Sequence, residues 1–334
     1  MQLNVFSTAR EQIVDRRHKL ESAIAALGPR TELMTLLGEV DAALERLAHG
    51  TYGLCHVCQD PIESDRLIAD PLARFCLDHL PPSEQRALEQ DLQLAARVQQ
   101  GLLPNPACVT GLWDVAYTYR PARIVSGDYC DLVPVNGDLF FMVGDVSGKG
   151  VAAATVMSQL HALVRALLSS HLPLAELVER ASRLLCESTL PTHYATLVCG
   201  RASADGVVEL CNAGHVPPLL VTPAGIRKLP PGGMPVGMFC AQRFDVQQVT
   251  LSPGEIIVLC TDGVTEAEGG DRDTRDEFGL DRLARTVSDH ATASCGALLD
   301  ACVHAVESWR GGGRADDDLT LMIIRRLDSV SRAA

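Results

Sequence analysis

Short apolar runs alternate with turn-forming residues through the second two-thirds of this sequence. Runs of this kind, bounded by Gly, Pro, Asn and Asp, predict β-strands. Two longer blocks with helical spacing separate the second run from the third, and another block precedes the last run. Strands in groups with helices between the groups predict an α+β layered domain rather than a repeating βαβ barrel. The predicted strands are 113–119, 139–143, 194–199, 207–211, 219–221, 246–251, 256–260 and 319–324, and the predicted helices are 152–170, 174–189 and 280–308.

Helical periodicity dominates the first hundred residues. Apolar residues at helical spacing lie on both sides of Gly28-Pro29, a pair that breaks a helix. We therefore predict a helical hairpin over residues 1–50, with helices of about 17 residues and roughly 25 Å each. The apolar positions are Leu20, Ile24 and Leu27 on one helix and Leu33, Leu37, Val40, Leu44 and Leu47 on the other.

A third helix is predicted over residues 83–104, where Pro104-Asn105-Pro106 ends it. Its apolar positions alternate between spacings of four and three, which is typical of a coiled-coil seam and would allow a homodimer. An amphipathic helix that packs on its own following domain explains the same pattern. The seam consists of Leu88, Leu92, Ala95, Gln99 and Leu102.

Composition and charge argue against a nucleic-acid-binding protein and against a membrane protein. The 334 residues are 47% apolar and carry a net charge of -13, which argues against a nucleic-acid surface. No apolar run approaches the roughly 18 residues that span a bilayer. The first 17 residues are polar and mixed in charge, unlike a signal peptide. We expect a soluble, cytoplasmic protein without a membrane partner.

The twelve cysteines fall into two groups. Nine lie singly, and we expect them to be small buried hydrophobes in a reducing compartment. The others form Cys55-His-Val-Cys58 and, with a histidine, Cys76-Leu-Asp-His79. Two such pairs predict one tetrahedral zinc ion, because each turn supplies two ligands. Free buried thiols with a surface histidine are the alternative, and His56 is expected to face solvent.

Four acidic sites lie far apart in sequence, and three of them are beside the ends of predicted strands. They are Asp128, Asp145, Asp262 and the run 316–318. A carboxylate beside glycine at a strand end lies at the sheet edge, where oxygen ligands bind a hard cation. Any one of these aspartates, taken alone, is explained as a turn or cap residue. The four sites together predict a centre that binds two Mg²⁺ or Mn²⁺ ions. Residues 144–149 are one short of a phosphate-binding GxxxxGK loop, which excludes that motif.

The cysteine-rich segment resembles the DksA/TraR-type zinc finger. The matching positions are Tyr52-Gly53, Ile62, Arg66-Leu67, Ala69, Pro71 and the second pair of ligands. The last ligand of that family is usually cysteine, and here it is His79. The family binds RNA polymerase through a long hairpin with an acidic tip, but this tip reads Leu27-Gly-Pro-Arg30. The resemblance therefore implies the zinc fold and not the polymerase role.

From residue 92 to residue 325 the order of motifs resembles the SpoIIE/RsbU-type branch of the PPM metal-dependent protein phosphatases. Six motifs occur in order over most of a domain, which is more specific than any one of them. Ser126 stands where glycine is usual and Cys130 where an aromatic residue is usual; neither removes a ligand. The motifs are AARVQQGLLP at 95–104, RPARIVSGDYCD at 120–131, GDVSGKG at 144–150, NAGHVPP at 212–218, CTDGVTEA at 260–267 and DDDLT at 316–320.

The resemblance implies an αββα sandwich of two antiparallel sheets, with two Mn²⁺ or Mg²⁺ ions at one end. Asp145 would bridge the ions beside the Val146 carbonyl, and Asp128 would complete one of them. Asp262 and Asp317 would complete the other, with Asp318 as a substitute for Asp317. The implied domains are a helical hairpin at 1–50, a zinc finger at 51–82, a linker helix at 83–104 and a phosphatase domain at 105–328.

The implied function is hydrolysis of phosphoserine or phosphothreonine by water held between the ions. The implied substrate is a phosphorylated STAS-type anti-sigma-factor antagonist, with the zinc finger as regulator. His215 would either donate a proton to the leaving oxygen or order its loop. The first alternative is a zinc-finger transcription regulator that binds RNA polymerase and carries an inactive phosphatase-like domain. The second is a hydrolase of small phosphoesters.

Overall fold

A computed structural model describes residues 2–135, 137–190, 192–269, 276–313 and 315–328. The chain divides into two compact units, residues 1–91 and 92–334, and the division falls inside a helix. The helices are α1 (Gln2–Leu27), α2 (Thr31–His49), α3 (Ser64–Ala69), α4 (Pro82–Gln100), α5 (Val151–Leu168), α6 (Leu174–Ser188), α7 (Asp262–Thr265), α8 (Gly279–Asp289) and α9 (Cys295–Arg310), with a 3-10 turn at Leu77–His79.

The first unit is a helical hairpin followed by a small cysteine-rich fold. Helix α1 has 26 residues and α2 has 19, so the predicted length of about 17 is wrong for α1. The first half of α1 was not predicted as part of the helix, although its apolar residues Ala9 and Ile13 are buried in the core of the unit. Gly50, in the left-handed conformation at φ 73°, ends α2 and donates its N–H to the last carbonyls.

The second unit contains two larger antiparallel sheets and a small strand pair. One sheet has the order β1-β2-β13-β10-β7-β8, the other has the order β3-β4-β5-β6-β9, and β11 pairs with β12. The strands are β1 (Ala107–Thr110), β2 (Trp113–Arg120), β3 (Asp128–Val135), β4 (Asp138–Val146), β5 (Ala195–Ala202), β6 (Val207–Ala213), β7 (Leu219–Thr222), β8 (Gly225–Lys228), β9 (Val246–Thr250), β10 (Ile256–Cys260), β11 (Glu268–Gly269), β12 (Asp276–Glu277) and β13 (Leu319–Arg326).

The two larger sheets stack face to face with helices on both outer faces. Along β4, Phe141 and Val143 lie in the core between the sheets. The alternate residues Phe140 and Met142 lie in the core that α5 and α6 cover. A third core joins the outer face of the other sheet to α8 and α9. Because β4 is buried on both faces, its sequence is a nearly continuous run of apolar residues. The predicted αββα sandwich is confirmed.

One predicted helix differs in detail, and strands β1, β3, β8, β11 and β12 were not predicted. The helix predicted over 280–308 is two helices, because Ser294 caps α9 by accepting a hydrogen bond from the Ala297 N–H. Strand β3 was not predicted, because its first four residues, Asp-Tyr-Cys-Asp, break the apolar run. Asp131 is nonetheless buried there, since Arg165 of α5 pairs with both of its oxygens at 2.6 and 2.7 Å.

The cysteine prediction is corrected at two positions. Cys186 and Cys240 form a disulfide across 54 residues of sequence, so they are not single thiols. Cys186 lies in α6 and Cys240 in the exposed loop before β9, and folding brings their Cα atoms within 5.3 Å. Sequence spacing alone carries no signal for such a contact.

One helix among the described residues, α5, is long and apolar enough to cross a membrane by length and composition. Ser158, Gln159 and Arg165 interrupt its apolar residues, so it contains no continuous apolar run of that length. Its Met157 and Leu160 lie in the core beneath the five-stranded sheet.

Candidate active site

The topology gathers the predicted acidic residues at one end of the sandwich. Asp128 begins β3 and faces Asp145, which lies near the end of the neighbouring strand β4. In the other sheet, Asp262 follows β10 and Asp317 precedes β13, and these two strands pair directly. We call Asp128, Asp145, Asp262 and Asp317, with the Val146 carbonyl, the acidic edge.

Gly127 shows how closely two of these oxygen atoms approach one another. A Cβ atom added at Gly127 would lie 3.1 Å from the Val146 carbonyl oxygen and 3.4 Å from Asp145 Oδ1. Both oxygens therefore face the same point of the loop before β3. This is the pairing of carboxylate and backbone carbonyl that the resemblance implies for one cation.

Asp128 holds the strand ends together. It is buried, and its Oδ2 accepts hydrogen bonds from Thr261 Oγ1 at 2.8 Å and from Thr320 Oγ1 at 2.6 Å. Burial, and then the charge of Asp145, raises the pKa of Asp128 well above its usual range. Neither threonine was predicted as a site residue, although both lie in the motifs that carry Asp262 and Asp318. With one oxygen committed to hydroxyls, Asp128 is better placed to position Asp145 than to surround an ion.

The run of three aspartates separates into different roles. Asp318 accepts hydrogen bonds on both oxygens, from the Ala122 N–H at 2.7 Å and from Ser126 Oγ at 2.6 Å and the Gly127 N–H at 3.0 Å. Asp317 Oδ2 instead accepts from the Lys149 ammonium at 2.8 Å, and its Oδ1 accepts from the neighbouring Asp318 N–H at 3.0 Å. The three donors to Asp318 come from the loop before β3 and fix that carboxylate in the fold, whereas the donors to Asp317 are an exposed lysine and its own neighbour, which favours Asp317 as the metal ligand.

The acidic edge concentrates negative charge in a partly buried place. Burial, and then the charges of Asp262, Asp317 and Asp318, raises the pKa of Asp145 to about 8. Burial and the neighbouring Asp317 also raise the pKa of Asp262. Carboxylates that disfavour each other's ionised form gain from a bound cation. Oxygen donors of this kind fit Mg²⁺ or Mn²⁺, so the residues suit the implied ions.

Arg310 adds a positive charge beside the acidic edge. It donates from Nη2 to the Gly263 carbonyl at 2.8 Å and lines a small cavity of about 170 Å³. Gly263 is itself required, because an added Cβ would lie 1.8 Å from the Asp318 carbonyl oxygen. The described lining of this cavity is otherwise small or acidic, consisting of Gly263, Glu266, Ala267, Glu268, Gly313, Asp316 and Asp317.

His215 is buried away from solvent. Its Nδ1 lies 2.8 Å from Thr196 Oγ1, and its backbone N–H donates to Asn212 Oδ1 at 2.8 Å. Burial lowers the pKa of His215 to about 4, so the ring is neutral near pH 7. A buried neutral imidazole is a poor proton donor to a substrate. Of the two predicted roles, this arrangement favours ordering of the loop.

The predicted zinc ligands come together in the first unit. One ligand atom each from Cys55, Cys58, Cys76 and His79 lies within 4.8 Å of the others, and among the described residues this is the one group of three or more such side chains with that spacing. Backbone N–H groups of the turn outweigh the opposing effect of burial and lower the pKa of Cys55 to about 6. Three thiols and one imidazole fit tetrahedral Zn²⁺. His56 is exposed and lies outside the cluster.

The linker helix is anchored on the second unit. Gln99 is only 5% exposed because its side chain is bonded to Ser126, so this position of the predicted seam faces its own domain. On another side of α4, Leu94 and Val98 are 54% and 59% exposed. The last turns of α4 thus follow the second alternative, an amphipathic helix packed on its own domain.

Two family models match the chain. The model for Stage II sporulation protein E (SpoIIE) matches residues 136–327, and the model for the prokaryotic dksA/traR C4-type zinc finger matches residues 50–78. The second match ends just before His79, which is where this chain departs from a four-cysteine site.

Comparisons with whole proteins agree with the family models. The chain is 25% identical to the phosphoserine phosphatase RsbU of Bacillus subtilis over 249 residues, which cover 72% of each protein. It is 27% identical to the protein IcfG of Synechocystis sp. over 266 residues, 71% of this chain but 41% of IcfG. The chain therefore spans about two-fifths of that relative. Its fold matches the SiaA-PP2C domain of Pseudomonas aeruginosa with a TM-score of 0.64 at 19% identity, over 74% of this chain and 98% of that one.

Proposed function

The chain belongs to the SpoIIE family, and on this premise we propose that it is a metal-dependent phosphatase of phosphoserine and phosphothreonine in proteins. One observation carries the proposal. Asp145, Asp262 and Asp317 lie at one end of the sandwich, where burial and the charges of the other two raise the pKa of Asp145 to about 8. Crowded, partly buried carboxylates of this kind are suited to bind cations.

In this proposal Asp145 and the Val146 carbonyl hold two Mn²⁺ or Mg²⁺ ions together with Asp262 and Asp317. When bound, such ions supply an activated water and neutralise charge on the phosphoryl oxygens. The chain's own residues fix the ligands. Asp128 and its two threonine donors keep the strand ends in register, and the Lys149 ammonium beside Asp317 adds positive charge where a phosphate would approach.

The natural substrate is proposed to be a phosphorylated STAS-type anti-sigma-factor antagonist in a bacterial partner-switching pathway. The similarity to a protein named phosphoserine phosphatase RsbU supports this choice. The first unit is proposed to hold one Zn²⁺ on Cys55, Cys58, Cys76 and His79 and to regulate the second unit. The acidic net charge of -13 supports a protein partner over a nucleic acid.

A homodimer through the linker helix is also proposed. Gln99 is unavailable for a seam between chains, but the exposed Leu94 and Val98 lie one helical turn apart on α4. Apolar residues at this spacing on a free helix face suit a helix–helix contact. The molar mass from light scattering tests it. Leu94→Glu with Val98→Glu should convert a dimer to a monomer, and a monomeric wild-type chain would reject it.

The test of the main proposal is hydrolysis of p-nitrophenyl phosphate by chelator-stripped full-length protein before and after addition of Mn²⁺. We expect activity with metal, and a loss on the order of 100-fold in Asp145→Asn. Asp300→Asn, on an exposed position of α9, is the matched control and should behave as wild type. Activity without metal, or an active Asp145→Asn protein, would reject the two-metal site. A metal-loaded wild-type protein that is inactive would favour the alternative of a zinc-finger transcription regulator with an inactive phosphatase-like domain.

A further inference from the structure

A groove of about 630 Å³ lies beside the acidic edge, and the proposed chemistry does not use it. It is formed by the linker helix, by the loop between β2 and β3, by the start of α5 and by the loop before β13. Its lining residues are Leu92, Ala122, Arg123, Ile124, Val125, Gly150, Val151, Ala315 and Asp316.

The groove exposes apolar side chains. Ile124 is 43% exposed and Val151 is 56% exposed, while Leu92 is half-buried and Val125 is buried. Single exposed apolar residues are ordinary on protein surfaces, but several that line one concave groove mark a binding site. The volume suits one or a few apolar side chains.

The position of the groove relates it to the active site. Asp316 lines both this groove and the small cavity beside Asp262 and Asp317. Gly150, also in the lining, directly follows Lys149, whose ammonium lies 2.8 Å from Asp317. Both cavities are therefore within reach of a polypeptide that presents a side chain to the acidic edge.

Charge decides between the two cavities. The smaller one is lined by Glu266, Glu268, Asp316 and Asp317 against the one described cation Arg310, so its net charge repels a phosphorylated chain. The groove instead carries Arg123 against the one carboxylate Asp316 and adjoins Lys149, in a protein with a net charge of -13. Attraction of a phosphate and burial of an apolar side chain thus act together on the groove side.

We propose that this groove binds an apolar side chain of the phosphoprotein substrate, close in sequence to the phosphoserine. Arg123 and Lys149 guide the phosphorylated segment, and Ile124 and Val151 contact the apolar side chain. The inference rests on the proposed function and extends it to substrate selection. It predicts that the enzyme prefers phosphoserine with a nearby leucine or phenylalanine over the same peptide with a polar residue.

The test uses a set of phosphoserine peptides that carry one leucine, or one serine as reference, at each position within four residues of the phosphoserine. Phosphate release by the Mn²⁺-loaded full-length protein gives kcat/KM, and p-nitrophenyl phosphate measures the chemistry without a peptide. We expect a preference of about tenfold or more for leucine at one or two positions. Ile124→Ser and Val151→Ser should remove that preference and leave p-nitrophenyl phosphate hydrolysis within about twofold, since both side chains are exposed.

Val109→Ser, an exposed valine of β1 outside the groove, is the matched control and should keep the preference. If p-nitrophenyl phosphate is hydrolysed but no peptide position prefers leucine, or Ile124→Ser and Val151→Ser keep the preference, the groove proposal is wrong while the proposed function stands. If those two variants change the molar mass in light scattering, the groove contacts a second copy of the chain, which also overturns the proposal. Absence of any metal-dependent hydrolysis rejects the proposed function and this inference with it.

Discussion

The side-chain amide of Gln99 is hydrogen-bonded to both backbone groups of Ser126. Gln99 Nε2 donates to the Ser126 carbonyl at 2.8 Å, and the Ser126 N–H donates to Gln99 Oε1 at 3.1 Å. The Ser126 hydroxyl in turn donates to Asp318 and accepts from the Asp128 N–H. One residue of the linker helix thus fixes the loop from which the acidic edge begins.

We predict that Gln99→Leu weakens both folding and metal binding. The leucine fills a similar space but leaves the buried Ser126 N–H and carbonyl without partners, at a cost of about 1–3 kcal/mol in the free energy of unfolding. The displaced loop should also raise the Mn²⁺ concentration needed for half-maximal activity. Urea unfolding and Mn²⁺ titration of p-nitrophenyl phosphate hydrolysis measure the two effects.

Gln100→Leu is the control for this prediction, because Gln100 is the exposed neighbour on the same helix. It should resemble wild type in both measurements. If Gln99→Leu and Gln100→Leu behave alike, the hydrogen bonds to Ser126 do not support the active site.

Asp317 and Asp318 should differ sharply when each is changed to asparagine. Asp317→Asn removes a proposed ligand charge, and we expect kcat at saturating Mn²⁺ to fall on the order of 100-fold. Asp318→Asn keeps one accepting oxygen for Ser126 and Gly127 but loses the acceptor for the Ala122 N–H. It should lower the free energy of unfolding by about 1–2 kcal/mol and retain most of its metal-saturated activity. The opposite ranking in kcat would make Asp318 the ligand.

The first unit should contain one zinc ion, and its stability should depend on that ion. Structural zinc contributes on the order of 10 kcal/mol to small domains, so a strong chelator should unfold the cysteine-rich segment. His79→Cys restores a four-cysteine set and should keep one zinc per chain by elemental analysis, whereas Cys55→Ser should lose it. His56→Ser, outside the cluster, should bind zinc normally. Retention of zinc by Cys55→Ser would contradict the ligand set.

Much of the fold followed from apolar periodicity, because most strands of the two larger sheets are buried on both faces. Strand β3 could not be predicted in this way, because the charged residue Asp131 interrupts its apolar run. Asp131 is buried only because Arg165, 34 residues later in the chain, compensates its charge. The acidic edge followed from strand-end aspartates and family motifs. The sequence could not decide between Asp317 and Asp318 as the metal ligand. That choice depends on the backbone N–H groups of Ala122 and Gly127, which only the folded chain brings close to Asp318.

As the pH is lowered, the free energy of unfolding of the second unit should decrease more steeply in wild type than in His215→Asn. Burial lowers the pKa of His215 to about 4, below the ordinary value of 6.5. Between these two pH values the unfolded chain therefore binds a proton at His215 that the folded chain does not bind. The contribution of neutral His215 is full above pH 6.5 and is lost as pH falls towards 4. A shift of this size corresponds to about 3 kcal/mol.

Urea unfolding at pH 7, 5.5 and 4.5 measures this effect. Tryptophan fluorescence reports the second unit alone, since the chain's two tryptophans are Trp113 and Trp309. Asparagine places an amide near the position of Nδ1 and can keep the contact with Thr196. Other acid-sensitive groups act equally on both proteins, so the difference between the two pH profiles isolates His215. Parallel profiles would refute a buried neutral imidazole.

The Cys186–Cys240 disulfide should make the second unit sensitive to reductant. A cross-link across 54 residues stabilises a fold by up to about 4 kcal/mol through the unfolded chain. Without reductant, the denatured zinc-free protein should show ten reactive thiols of its twelve cysteines, and twelve after reduction. Dithiothreitol should lower the free energy of unfolding of wild type, followed by tryptophan fluorescence, but not that of the Cys186→Ser, Cys240→Ser double variant. Twelve reactive thiols before reduction would show that the two cysteines are free after all, and would return them to the group of single thiols that the sequence predicted.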